Sequence, residues 1–179
     1  MADGPGGWPL RATGSLNDVA IVAMRPRHLG GVAAIENLTS TRPWSEELFA
    51  SELKQATSRC WVAVRSNNEV VGFACLMSTG FETHITNIAA AVDHRREGIA
   101  TALMVTMMDA TMAWGLDAVT LEVKAGNDAA QGLYRRFGFV AEGVRPKYYA
   151  ETGEDAVIMW CRGIDSDDYA DRLAQICSG

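Results

Sequence analysis

A short glycine-containing loop between an apolar run and a helical pattern constrains the fold of this chain most strongly. Residues Arg95 to Ala100 follow the apolar run from Ile85 to Val92 and have the pattern Arg-x-x-Gly-x-Ala. The first N–H groups of a helix lack intrahelical partners, and the helix dipole adds partial positive charge there. Such a loop can bind a phosphate group, because Gly98 permits close approach and the two arginines add charge. The same residues also fit an ordinary strand-to-helix connection with surface arginines.

Composition is typical of a globular protein. The 179 residues suffice for one domain with its own core, and 48% are hydrophobic. A formal net charge of -6 argues against a general nucleic-acid-binding protein, which carries a basic excess. The sequence has neither a signal peptide nor the roughly 18 apolar residues of a membrane span, so we expect a cytoplasmic protein without a membrane partner.

The cysteines and histidines do not favour a metal site. The four cysteines are widely separated and form no Cys-x-x-Cys pair, which is typical of reduced thiols. The three histidines, His28, His84 and His94, lack the spacing of paired zinc ligands. We therefore expect no metal cofactor.

Hydrophobic periodicity predicts an α/β chain, in the α+β sense of a mixed sheet with helices. The predicted order is strand, two helices and three strands, followed by helix, strand, helix and two strands. A strand, the glycine loop, a helix and a further strand imply one parallel pair in a mostly antiparallel sheet.

The chain consists of three segments that differ in periodicity and charge. Residues 1–18 lack periodicity and are predicted to be a disordered tail, and residues 19–162 form the predicted folded domain. Residues 163–179 are an acidic extension with a predicted short helix from Asp165 to Ile176. Its excess of acidic residues suggests a solvated helix that packs weakly on the surface.

Motifs along the chain occur in one order and at compatible spacings. They are Pro43-Trp44-Ser45, Asn87-Ile88-Ala89-Ala90, Leu121-Glu122-Val123 with Asn127, Leu133-Tyr134 with Gly138-Phe139, and Tyr148-Tyr149 followed by Glu154-Asp155-Ala156. With the glycine loop, they resemble the GNAT superfamily of N-acetyltransferases, and in detail its RimI-type protein N-terminal acetyltransferases, over about residues 19 to 162. The stretch from His84 to Asn87 also resembles Ard1-type catalytic subunits. One departure is Ala90-Ala91-Val92, where the family has Val-Asp-Pro, which leaves the path of the loop open.

The resemblance implies a GNAT fold with a splayed parallel pair and transfer of an acetyl group from acetyl-CoA. The implied acceptor is the α-amino group of a protein, either small-subunit ribosomal protein eighteen or a wider set of N-termini. The pyrophosphate would bind the glycine loop, and the pantetheine arm would pair with the preceding strand. The implied acetyl-CoA residues are Ile88, Ala89, Ala90, Arg95, Arg96, Glu97, Gly98, Ile99, Ala100, Thr101 and Asn127.

Two residues match the catalytic positions of the family. Glu122 matches the proton acceptor, which acts directly or through water, and Tyr134 matches the proton donor to the departing CoA thiolate. From the strand pattern alone, Glu122 also fits a solvated glutamate on a polar face. Without the resemblance, Tyr134 also fits a core aromatic residue.

Candidates for the acceptor groove are Trp44, Glu82, His84, Tyr148 and Tyr149. Tyrosines combine apolar area with a hydrogen-bonding tip, which suits binding of a flexible N-terminus. His84 is either an alternative base or a structural residue, and Trp44 also fits a packing role beside Phe49. We expect a monomer or weak dimer that does not bind nucleic acid directly.

Other functions remain compatible with these residues. The same fold accepts many amines, so a small amine or a lysine side chain is an alternative acceptor. A non-catalytic acetyl-CoA-binding sensor or partner subunit is a further alternative. A nucleotide-binding P-loop is set aside, because the loop lacks the Gly-Lys-[Ser/Thr] ending.

Overall fold

The computed structural model describes residues 18–178, in which a seven-stranded sheet lies between two layers of helices. The strands are β1 Val19–Ala23, β2 Ser58–Arg65, β3 Val70–Ser78, β4 Thr83–Ala90, β5 Ala118–Lys124, β6 Val140–Tyr149 and β7 Glu154–Arg162. The helices within this range are α1 Leu29–Thr39, α2 Glu46–Glu52, α3 Ile99–Ala113, α4 Asp128–Arg136 and α5 Asp167–Ser178. The predicted element order is confirmed. The predicted tail of residues 1–18 lies, except for its last residue, outside the described range.

The sheet has the strand order β1-β2-β3-β4-β5-β7-β6. Neighbouring strands are antiparallel except for β4 and β5, which run parallel and are joined by α3. The expectation of a mostly antiparallel sheet with one parallel pair is therefore confirmed. A parallel pair needs a long crossover connection, and α3 supplies it.

The parallel pair separates soon after it begins. β4 and β5 pair only at Thr83 with Val119 and at His84 with Thr120, and no pairing continues toward their carboxyl ends. A bulge on β4 accompanies the separation, since the register with β3 skips Thr86. The Thr86 hydroxyl donates a hydrogen bond to the Cys75 carbonyl at 3.2 Å. The two strands thus open a cleft between them.

Alternation along β5 decides which of its side chains face the main core. Val119, Leu121 and Val123 are buried in the cluster that contains α3. Successive residues of a strand point to opposite faces, so Glu122 lies on the other face. There, α1 and α2 pack on β2 and β3 around Phe49. Glu122 therefore lies on the sheet face that carries the α1–α2 layer.

The carboxyl-terminal helix α5 is part of the main core. Tyr169, Leu173 and Ile176 are 6%, 0% and 8% exposed and belong to the same buried cluster as α3 and β5. Their spacing places them on one helical face. The expectation of a weakly packed surface helix was wrong, because this apolar face docks although the opposite face is acidic.

Candidate active site

The glycine loop presents unpaired backbone donors at the start of α3. Gly98 has a φ of 83° and Arg96 a φ of 67°, both in the left-handed region. No backbone N–H from Arg95 through Thr101 donates a hydrogen bond to a described residue. These donors and the positive end of the α3 dipole together fit a diphosphate. The departure at Ala90-Ala91-Val92 is accommodated by a short 3-10 turn, Val92–His94.

The charged side chains of the glycine loop differ in whether they have an ion-pair partner. Arg95 and Arg96 are exposed, and neither forms an ion pair with a described residue. Glu97, in contrast, lies 3.2 Å from Nδ1 of His94. The two guanidinium groups therefore remain available to an anion, whereas the Glu97 carboxylate already has a partner.

The start of α3 lies very close to the sheet because Gly72 has no side chain. A Cβ atom at Gly72 would lie 2.6 Å from Cγ2 of Ile99 and 3.1 Å from the Ala89 carbonyl oxygen. Gly72 therefore lets the first residue of α3 pack onto β3 beside β4. This contact places the glycine loop at the open end of the cleft.

The cleft edge of β4 is free to bind an extended molecule. Ile88, Ala89 and Ala90 pair with β3 on one side, and no pairing with β5 reaches them on the other. An extended chain with amide groups can pair with such an edge as an added strand does. The predicted strand segment for the pantetheine arm is thus geometrically available.

Glu122 is the centre of a cluster of polar side chains. Its Oε2 lies 2.6 Å from Nε2 of His84, and its Oε1 lies 3.2 Å from Nη2 of Arg145. The Glu122 side chain is only 14% exposed. The solvated-glutamate alternative does not fit this burial, since both carboxylate oxygens have partners.

Tyr134 is buried in α4 beside the cleft strands. Its side chain packs against Phe139, with ring centroids 5.9 Å apart, and the residue is 7% exposed. Burial raises the pKa of the Tyr134 hydroxyl well above its usual range, and the charge of Tyr149 adds to the effect. The hydroxyl therefore stays protonated at neutral pH and can donate a proton.

Tyr149 connects the two candidate catalytic residues. Burial raises the pKa of Tyr149 to about 12, and the neighbouring Tyr148, Glu122 and Glu154 contribute to the increase. Tyr149 also interacts electrostatically with Tyr134. Tyr149 therefore lies within electrostatic reach of both Glu122 and Tyr134. The ammonium of Lys124 lies 5.2 Å from the Tyr149 ring centroid.

The other candidate residues of the acceptor groove lie in different parts of the structure. Tyr148 is 49% exposed, and its ring packs edge-on against Tyr149 with centroids 5.3 Å apart. Trp44 instead packs against Phe49 at 5.3 Å. Glu82 lies in the β3–β4 turn, where its carbonyl accepts a hydrogen bond from the Thr79 N–H. Neither Trp44 nor Glu82 forms a hydrogen bond or ring contact with the cluster around Glu122.

A pocket beside Trp44 is distinct from the cleft. It is lined by Ala33, Asn37, Pro43, Trp44, Ser45, Glu46 and Glu47. Neither Glu122 nor Tyr134 lines it, so the chemistry is assigned to the cleft and not to this pocket.

Asn127 caps α4 where β5 ends. Its Oδ1 accepts a hydrogen bond from the Ala130 N–H at 3.1 Å. This contact uses the side-chain oxygen only. The predicted contact of Asn127 with acetyl-CoA would therefore be made by its amide nitrogen.

Arg145 is a candidate site residue that the sequence reasoning missed. It lies on β6, two strands away from β5 in the sheet, and reaches Glu122 across β7. It also stacks on Tyr148, with its Cζ 5.6 Å from the ring centroid. In the sequence, its position three residues before Tyr148 could have indicated that Arg145 lies near the acceptor groove.

Within residues 18–178, no group of three or more His, Cys, Asp or Glu side chains could hold a metal ion. None of the helices in that range has the length and apolar character needed to cross a membrane.

Comparison with known proteins places the chain in a family. Residues 30–139 match the acetyltransferase (GNAT) family. The ribosomal protein bS18-alanine N-acetyltransferase of Escherichia coli strain K12 is 35% identical over 127 residues, which cover 70% of this chain and 84% of that protein.

Solved structures agree with the sequence match. The crystal structure of the ribosomal-protein-S18-alanine N-acetyltransferase from Escherichia coli has a TM-score of 0.73 at 29% identity, covering 81% of this chain and 94% of that one. Ard1 from Thermoplasma volcanium has a TM-score of 0.75 at 25% identity, covering 81% and 97%. The chain therefore belongs to the GNAT acetyltransferase family and, within it, to the RimI-type group.

Proposed function

We propose that this chain transfers the acetyl group of acetyl-CoA to the α-amino group of a protein N-terminus. The observation that carries the proposal is the Glu122 carboxylate, which is 14% exposed and lies at the edge of the cleft between β4 and β5. The names of its relatives favour the alanine N-terminus of ribosomal protein bS18 as acceptor. The cytoplasm, where that protein is made, is the proposed location.

Acetyl-CoA would bind along the cleft. The free N–H groups from Arg95 to Thr101 and the two loop arginines would hold the diphosphate. The open edge of β4 at Ile88, Ala89 and Ala90 would pair with the pantetheine amides. When bound, acetyl-CoA supplies the acetyl thioester. A backbone N–H near Ala90 would polarise the thioester carbonyl.

Glu122 and Tyr134 divide the proton transfers between them. An α-amine has a pKa of about 8, so a large fraction must lose a proton before attack at neutral pH. Glu122 accepts that proton, and the hydrogen bond from His84 to Oε2 orients the carboxylate. Tyr134, which burial keeps protonated, donates its proton to the departing sulfur.

The acceptor would lie on the sheet face that carries Glu122. Tyr148 and Tyr149 border this region with one exposed and one half-buried ring. An ion pair between Arg42 Nε and Glu151 Oε1, 3.7 Å apart, joins the α1–α2 connection to the turn between β6 and β7. These two connections would flank the bound peptide.

Release of free thiol from acetyl-CoA measures the reaction. Hexapeptides with free N-termini, beginning with an alanine peptide, are compared with N-blocked lysine peptides and small polyamines. We expect turnover with the free N-termini at a much higher kcat/KM than with the other amines. Consumption of only a polyamine or a lysine side chain would overturn the proposed acceptor. Binding of acetyl-CoA without turnover of any amine would instead favour a sensor.

A further inference from the structure

Arg145 forms an ion pair with one of the two carboxylate oxygens of Glu122, the candidate proton acceptor. Its Nη2 lies 3.2 Å from Oε1 of Glu122, while His84 Nε2 lies 2.6 Å from Oε2. Both oxygens of the carboxylate are therefore engaged before any acceptor binds. With Glu122 only 14% exposed, little of the carboxylate remains open to a further cation.

An acceptor ammonium needs this same carboxylate. It must come within hydrogen-bond distance of a Glu122 oxygen to give up its proton. The side chain of His84 is 28% exposed and that of Arg145 is 54% exposed. Since Arg145 is nearer the solvent, the Oε1 side is the more accessible route to the carboxylate.

The local structure allows Arg145 to leave. Its side chain is more than half exposed, and the pairing of β6 with β7 is interrupted between Arg145 and Tyr149. Within that interruption, Lys147 has a φ of 52°, so the strand there is irregular. The Tyr148 ring, 5.6 Å from Cζ of Arg145, offers an aromatic face that can hold the displaced guanidinium.

We propose that Arg145 is the resident counter-ion of Glu122 and that the α-ammonium of the acceptor takes its place. This inference rests on the proposed function. Arg145 is a positioning residue: it holds the Glu122 carboxylate in place and then yields Oε1 to the ammonium. The ammonium proton next moves to Glu122, so that an N–H bond breaks, an O–H bond forms, and a neutral amine faces the thioester.

Replacement of the charge provides the test. In Arg145→Met, the acceptor ammonium no longer competes with a guanidinium for Oε1 of Glu122. We expect KM for an N-terminal hexapeptide to fall severalfold, while kcat does not rise. Arg145→Lys, which keeps a cation at this position, restores the parent KM.

A matched control exists on β7. Arg162 also pairs with a glutamate, Glu142, and stacks on an aromatic ring, Trp160, at 4.2 Å. Its side chain is 52% exposed, close to the value for Arg145. Arg162→Met therefore removes an equivalent exposed cation outside the cluster, and we expect it to leave the peptide KM unchanged.

A second readout does not depend on turnover. Calorimetric binding of the hexapeptide to the protein without acetyl-CoA should be tighter in Arg145→Met than in the parent or Arg162→Met. An active parent, together with a peptide KM and Kd that are unchanged or higher in Arg145→Met, would overturn this inference alone. A parent that acetylates no N-terminal peptide would overturn the proposed function and this inference together.

Discussion

Glu122 and Tyr134 owe their proposed roles to different surroundings. Glu122 has a histidine and an arginine at its two carboxylate oxygens. Tyr134 is enclosed by apolar side chains, which favour its neutral form, the form that can donate a proton. Two groups that differ in this way can serve one reaction as base and acid at the same pH.

Replacing Tyr134 by phenylalanine removes the proposed acid but keeps the ring. We expect kcat to fall by about 10² to 10⁴, the usual contribution of general acid–base catalysis, while KM for acetyl-CoA changes little. Steady-state kinetics with a saturating hexapeptide measures both constants. Tyr169→Phe is the matched control, because Tyr169 is similarly buried, at 6%, yet lies on α5. Equal losses in the two variants would exclude a catalytic role for Tyr134.

Motifs located Glu122 and Tyr134, but the contacts of Glu122 were hidden from the sequence. The bulged register between β6 and β7 brings Arg145 opposite Ala156, which pairs with Lys124 on β5. The Arg145 side chain therefore reaches Glu122 diagonally across β7. A bulge adds one residue to one strand only, and alternation patterns do not reveal it. His84 was considered as a possible base without its partner, because contacts between parallel strands are distant in sequence.

At the scale of elements, the glycine loop and the start of α3 act as one unit. Gly98 has a left-handed φ of 83°, which a residue with a Cβ adopts at a cost of about 1–2 kcal/mol. In the proposed diphosphate site, the added methyl group would also crowd the anion. We expect Gly98→Ala to raise KM for acetyl-CoA by about tenfold, equivalent to ~1.4 kcal/mol, with a smaller effect on KM for the peptide.

The other end of α3 supplies the control. Gly115 has a φ of 73°, and no atom lies within 4 Å of the position that its Cβ would take. Gly115→Ala therefore introduces comparable backbone strain on the same helix, away from the loop. An equal increase of KM for acetyl-CoA in both variants would show that the effect comes from helix destabilisation and not from the proposed anion site.

The elements themselves were largely predictable, but the opening of the sheet was not. Ser45 and Asn127 are residue types that favour helix N-caps, and both accept the capping hydrogen bond from a backbone N–H. These are local signals with a local cause. The separation of β4 from β5 depends on the bulge at Thr86 and on pairing between distant segments, which composition and periodicity do not encode.

At the scale of the whole molecule, α5 completes the main core. Leu173 is fully buried in the cluster shared with α3 and β5. We expect Leu173→Ala to lower the free energy of unfolding by about 2–5 kcal/mol through lost burial and the cavity it leaves. Chemical denaturation measures the loss. Gln175→Ala, at an exposed position on the same helix, should be nearly neutral; an equally small effect at Leu173 would contradict tight docking of α5.

The packing of α5 also marks a limit of sequence reasoning. Tyr169, Leu173 and Ile176 have amphipathic spacing, yet the run of acidic residues suggested a solvated helix. An amphipathic pattern indicates that a helix has an apolar face, but not whether the fold offers a surface for it. That surface forms only when the strands and α3 have assembled, which is a property of the complete domain.

The position of the acetyl group on one product tests the central claim most directly. A hexapeptide with a free alanine N-terminus and one internal lysine is incubated with the enzyme and acetyl-CoA, and fragment-ion mass spectrometry locates the modification. We expect a single acetyl group on the α-amine of the peptide treated with the parent enzyme, and its loss with Glu122→Gln. Acetylation of the lysine alone, or α-amine acetylation at the parent rate by Glu122→Gln, would contradict it.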